Sequence, residues 1–218
     1  MTYGTLTSSQ KRKLKEKQDR VKSILNAAEK ILLSKGLESV TIDKIAEKCM
    51  LSKGTLYLYF KNKDEILASL TLKITNIFLA QLKQVPQQKT GELQLKKILE
   101  AYYHFMKENF QHSKLRTHFI THIQDKKIYT GETINGIRIK NNEIIEIIHS
   151  AIKQGMQDGS FRKDINSYES MHLIEIINLA FLSKTLEKDY QERLKEEFNI
   201  ELDAFIKNYF LYVTHILK

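Results

Sequence analysis

A chain of 218 residues can bury a sizeable core, as one large domain or two small ones. Its 42% hydrophobic content excludes a disordered polymer, and one Pro and eight Gly over this length favour an all-α protein. The net charge of +9 is concentrated: residues 1–63 hold 14 Lys/Arg against 6 Asp/Glu and residues 64–218 hold 21 against 20, so the expected partner of the first third is a polyanion.

Residues 1–9 are polar and uncharged and are expected to be disordered. The basic run Lys11–Lys22 follows (a basic arm over 10–20), either extending the first helix or lying along a phosphate backbone. Val21, Ile24, Leu25, Ala28, Ile31 and Leu32 recur at steps of three and four, one face of a helix that Gly36 closes. Thr41 caps a second helix of about two turns, whose inner face is Ile42, Ile45, Ala46 and Cys49. Met50-Leu51 is a turn, and Ser52 caps a third short helix that stops near Phe60-Lys61-Asn62. Asn62 caps a fourth, with Glu65 three residues on, which ends before Pro86. Five amphipathic helices are expected beyond it, at roughly 92–110, 114–126, 132–157, 167–187 and 190–216, about nine in all.

Three short helices over residues 21–60, with a tight turn between the second and third, make a helix-turn-helix. At about 100° per residue, Leu56 and Phe60 of the third helix share an inward face. Gly54, Thr55, Leu58 and Tyr59 point away from it, and Lys53 and Tyr57 lie at its edge. Such a helix can enter a major groove, Gly54 permitting close approach of the backbone.

The stretch Val21–Leu67, above all Ser52-Lys53-Gly54-Thr55-Leu56-Tyr57-Leu58-Tyr59-Phe60-Lys61-Asn62-Lys63, resembles the DNA-binding domain of TetR-family repressors. It departs from the family at Met50, where Gly is usual. The resemblance implies DNA contacts from Thr41, Lys44, Ser52, Lys53, Gly54, Thr55, Tyr57, Tyr59 and Lys63, to which the outward Leu58 is added as a candidate for packing on a thymine methyl. It also implies a DNA-binding domain over 1–63, a regulatory, ligand-binding and dimerisation domain over 64–218, and an effector whose binding shifts the fourth helix and releases a palindromic operator. Tyr102, Phe105, Phe119, Ile137, Ile144, Ile148 and Phe181 are candidates to line the effector cavity, as well as to form core.

Few charges fall at inward positions of these helices, so the effector is expected to be largely apolar. The segment 190–216 carries Leu194, Phe198, Leu202, Phe205, Ile206, Tyr209, Phe210, Val213, Ile216 and Leu217, more apolar surface than one neighbouring helix covers. A homodimer through the last two helices is therefore expected. His118, His122 and Asp125 share a helical face but lack a fourth ligand, so no metal and no cofactor is assigned. Cys49 is read as a small buried hydrophobe. No Gly-rich phosphate loop, nucleophile elbow or HExxH occurs, which leaves no residues for an enzyme. The lone cysteine, the missing signal-peptide core and the lack of an apolar run near 18 residues point to a soluble cytoplasmic protein without a membrane segment. The alternative to a ligand-released repressor is an architectural or cell-division regulator that binds DNA without an effector.

Overall fold

The computed structural model describes residues 7–122 and 131–218. It is all-α, with no strand and ten helices among the described residues: α1 (Ser8–Lys35), α2 (Ile42–Lys48), α3 (Lys53–Tyr57), α4 (Lys63–Lys83), α5 (Gly91–Glu108), α6 (Phe110–His122), α7 (Glu132–Asp158), α8 (Ser167–Thr185), α9 (Lys188–Glu196) and α10 (Leu202–His215). The chain divides into two compact units after Leu70, a point within α4.

In the first unit α1 begins earlier than the apolar period shows. The Thr7 hydroxyl accepts from the Gln10 N–H at 3.2 Å, and the Gln10 side chain accepts from the Thr7 N–H at 2.9 Å. This reciprocal cap starts the helix at Ser8, so residues 7–9, expected to be disordered, are ordered. The basic run is helical and exposed from Ser8 to Arg20, and the buried stripe starts only at Ile24, continuing through Ala27, Ala28, Ile31 and Leu32. Gly36 ends α1 with φ 77° and ψ 174°, a conformation other residues avoid, its N–H donating to the Leu32 carbonyl at 2.9 Å. A 3-10 turn at Leu37–Ser39 then leads to α2, which packs against both α1 and α3.

In the second unit α5 is the central helix, packed against α6, α7 and α10, while α7 also packs on α8. The α5–α7 crossing is close because both helices are bare there: a methyl on Gly91 would overlap the Gly155 backbone. The last residue of α7 and the loop after it cap α5, since Asp158 accepts from the Gly91 N–H at 2.7 Å and the Ser160 hydroxyl accepts from the Glu92 N–H at 3.1 Å. The Asp158 carboxyl is held below the usual carboxylate range, the Ser160 side-chain contact contributing most.

Two boundaries depart from expectation. The segment 190–216 is two helices, because Asn199 takes the left-handed conformation (φ 51°) and the Ile200 N–H turns back to the Leu194 carbonyl at 2.8 Å. Asn tolerates that conformation better than most residues, so the break needs no Gly or Pro. Likewise α6 starts at Phe110, one residue after α5 closes on Asn109, whose side chain donates to the Phe105 carbonyl at 3.1 Å. The end of the expected 114–126 helix, and with it Asp125, lies outside the described residues, and the His122 side chain is not described. By length and composition α4 could cross a membrane, which its sequence pattern does not announce; more than half of its apolar stretch is buried against protein, as in a core helix.

Candidate nucleic-acid interface

The geometry around α3 begins with its caps. The Ser52 hydroxyl accepts from the Thr55 N–H at 3.0 Å and lies 2.9 Å from the Thr55 hydroxyl. One cap thus fixes both side chains at the head of a helix only five residues long. Thr41 does the same for α2, accepting from the Lys44 N–H at 3.3 Å. Past α3, the Asn62 carboxamide oxygen accepts from the Glu65 N–H at 2.9 Å, and Glu65 reaches back to the Lys61 N–H at 2.7 Å. Together these bonds fix the backbone on both sides of α3 by side chains that are local in sequence.

The inner face of α3 is Leu56, fully buried, followed by Phe60 just beyond the helix. Its outer face is open. Leu58 is 79% exposed, an unusual degree for a leucine, and Tyr57 is half exposed. Ser52, Lys53 and Gly54 are exposed, Thr55 and Tyr59 half-buried. Lys44 is exposed on α2, and Thr41 and Lys63 are half-buried at the starts of α2 and α4. All ten candidate residues therefore lie between Thr41 and Lys63, on or beside two short helices and the first turn of a third. The turn between α2 and α3 is strained: Met50 has φ 54° and is 93% exposed, so its side chain gains no burial to offset a left-handed backbone.

Sequence reasoning missed one feature of this face. The Lys53 ammonium sits 2.6 Å from the Asp43 carboxylate, both well exposed. That hydrogen bond holds the lysine above its ordinary range. The pairing depends on the angle at which α2 meets α3, and only Asp43's exposed position in the first turn of α2 hints at it. Cys49 lies at the end of α2, its thiol directed to the Ser23 carbonyl at 3.6 Å, and burial pushes the thiol up, away from reactivity.

Residues 24–70 match the family model described as "Bacterial regulatory proteins, tetR family". Over this stretch the chain is similar to TetR-family regulators. An uncharacterized HTH-type transcriptional regulator from Haemophilus influenzae is 31% identical over 94 residues, 43% of this chain and 50% of its own length. The fatty acid metabolism regulator protein of Bacillus subtilis is 22% identical over 158 residues, 70% of this chain and 76% of its own. This chain thus spans half the length of the first relative and three quarters of the second. The fold is shared with a tetR-family regulatory protein from Rhodococcus RHA1 (TM-score 0.68, 15% identity, covering 91% of this chain and 96% of that one). It is also shared with AibR in complex with isovaleryl coenzyme A and operator DNA (TM-score 0.64, 18% identity, 88% and 96%). The family model covers the caps, the Met50 turn and α3.

In the second unit Tyr102, Phe105, Phe119, Ile137, Ile144 and Ile148 are all buried. Tyr102 and Phe105 meet on the ring of Phe78, with centroids 4.7 and 4.6 Å from it. Phe181 is half-buried and stacked at 3.8 Å on Tyr209 of α10. Arg116 is a residue that sequence reasoning missed. It is only 3% exposed on α6, donating to the Tyr102 hydroxyl at 3.0 Å and to the Asn141 carboxamide oxygen at 3.2 Å. The one signal in the sequence is its spacing of three from both Ser113 and Phe119, two other buried residues of a helix with little apolar periodicity.

Proposed function

We propose that this protein is a cytoplasmic transcriptional repressor that binds a near-palindromic operator as a homodimer and leaves it when an apolar effector binds. The observation that carries the reading is the outer face of α3, a short capped helix that buries Leu56 and turns Lys53, Gly54, Tyr57 and Leu58 to solvent. In this reading Thr41, Lys44, Ser52, Thr55, Tyr59 and Lys63 hold phosphates and set the register, while Lys53 and Leu58 discriminate bases. The exposed basic half of α1 adds phosphate contacts that carry no sequence preference. Residues 1–63 then form the DNA-binding domain and 64–218 the regulatory and dimerisation domain.

Of the residues that the apolar period marks over 190–216, Phe198 and Ile216 are exposed, while others are not. Leu194, Ile206, Tyr209, Phe210, Val213 and Leu217 are buried within their own chain. Leu173 and Ile176 on α8, Leu211 and Tyr212 on α10, and Ile216 just beyond it remain exposed, and these supply the apolar face for a partner copy. Support for an effector comes from two similar proteins: AibR was crystallised with isovaleryl coenzyme A, and the Bacillus subtilis relative is named for fatty acid metabolism.

Selection from a random DNA library tests the reading. The expected product is a near-palindrome with half-sites about 10 base pairs apart, or a multiple of that. Recovery of no common sequence would contradict it.

A further inference from the structure

We propose that Arg116 is the centre of an anion-binding site that takes the carboxylate of an otherwise apolar effector, with Tyr102 and Asn141 as its companions. The inference rests on the ligand-released reading above and names the chemistry of the ligand's polar end. Arg116 has five N–H donors, of which one is given to Tyr102 and one to Asn141. Its Nε–H is buried without an acceptor. Both companions are neutral, and among the described residues no carboxylate lies within ion-pair distance of Arg116. Arg12, Arg162 and Arg193, by contrast, are each paired with one.

A guanidinium out of water needs a counter-charge, because desolvation of an ion is among the largest unfavourable contributions in a protein interior. The Phe78 ring, 5.0 Å from the guanidinium carbon, offers only part of it. The neighbourhood carries the same deficit in hydroxyls. Ser113 Oγ, one turn earlier on α6, and Thr117 Oγ1, the next residue, are also buried without partners. Buried polar atoms are nearly always matched, so the free Nε–H of Arg116 calls for an acceptor.

A carboxylate supplies it. Its two oxygens fit the Nε–H and Nη–H edge of the guanidinium side by side. Tyr102, which accepts from Arg116, still has its own O–H to donate to the same group. The neutral carbonyl of a thioester would accept hydrogen bonds and leave the charge unbalanced, so the free acid is favoured. The Phe78 and Tyr102 rings lie 5.0 and 6.0 Å from the guanidinium carbon, and Phe105 packs on Phe78, so apolar surface for the rest of the ligand is at hand. Phe78 also belongs to α4, whose first turn carries Lys63.

The test is calorimetric titration of the full chain with dodecanoate, hexadecanoate and phenylbutanoate, each against its primary alcohol, and with dodecanoyl coenzyme A. In the wild type at least one acid should bind about 10- to 100-fold more tightly than its alcohol. Arg116→Met should reduce that acid to the affinity of the alcohol and leave the alcohol unchanged. If Arg116→Met does not fold, Tyr102→Phe and Asn141→Leu are read instead, each expected to weaken the acid several-fold and the alcohol not at all. Equal affinity for acid and alcohol, binding of no acid, or selectivity that survives Arg116→Met would overturn the site, as would a coenzyme A ester binding more tightly than the acid and equally well to Arg116→Met. Operator binding by the ligand-free protein is a separate measurement; if it persists while acid selectivity fails, the regulator reading stands and the anion site falls.

Discussion

At Gly54 a Cβ would meet only the Ser52 hydroxyl oxygen, at 3.8 Å, so alanine fits the folded chain. Glycine inside a helix costs about 0.5–1 kcal/mol relative to alanine. Gly54→Ala should therefore stabilise the protein by about that amount in urea unfolding. If the backbone here lies against DNA, the same methyl should weaken operator binding; a stabilised variant with unchanged affinity would remove Gly54 from the interface. Lys53 presents a second balance: if it reads a base, as proposed, its ammonium leaves Asp43 to do so. Asp43→Asn should tighten operator binding several-fold at low salt, with the gain shrinking as salt screens the exposed pair. Weaker binding would mean that Asp43 orients Lys53 productively. Ser52 and Thr41 are legible as caps in the sequence because a cap depends on residues two or three apart. The Asp43–Lys53 pair and the burial of Arg116 are not, since each is set by how separate helices cross.

At the scale of elements the breaks in the helices are readable where Gly, Pro or a capping residue makes them, as at Gly36 and Pro86. Where asparagine makes them they are read less well: at Asn199 the pattern runs on and one expected helix spans two, and at Asn109 the break is anticipated but α6 starts four residues early. The N-terminal half of α1 escapes the sequence pattern for another reason: it is exposed all round, so no apolar period marks it. Its charge does mark it, and deleting residues 1–17 should flatten the slope of log affinity against log salt by about 0.9 for each phosphate that the run neutralises. An unchanged slope would mean a merely solvated run. The α5–α7 crossing is the most constrained contact in the second unit. Gly91→Ala forces the helices apart and should destabilise the protein by about 1–3 kcal/mol, read as a lower urea midpoint. A midpoint equal to wild type would show that the crossing relaxes freely.

For the whole molecule the apolar residues left exposed on α8 and α10 make the oligomeric state a direct check. Sedimentation should show a dimer at micromolar concentration, and Ile176→Lys with Tyr212→Lys should shift it toward monomer. The all-α architecture follows from composition and period. The helix-turn-helix follows from one local string, whereas the apolar residues left exposed cannot be separated from core by period alone. The measurement closest to the central claim, that the outer face of α3 reads base sequence, is the affinity of Lys53→Ala and Leu58→Ala for the selected operator and for random DNA. Each should weaken roughly tenfold or more on the operator and little on random DNA, since base contacts specify while phosphate contacts only position. Equal proportional weakening on both DNAs would make these residues backbone contacts and contradict the claim.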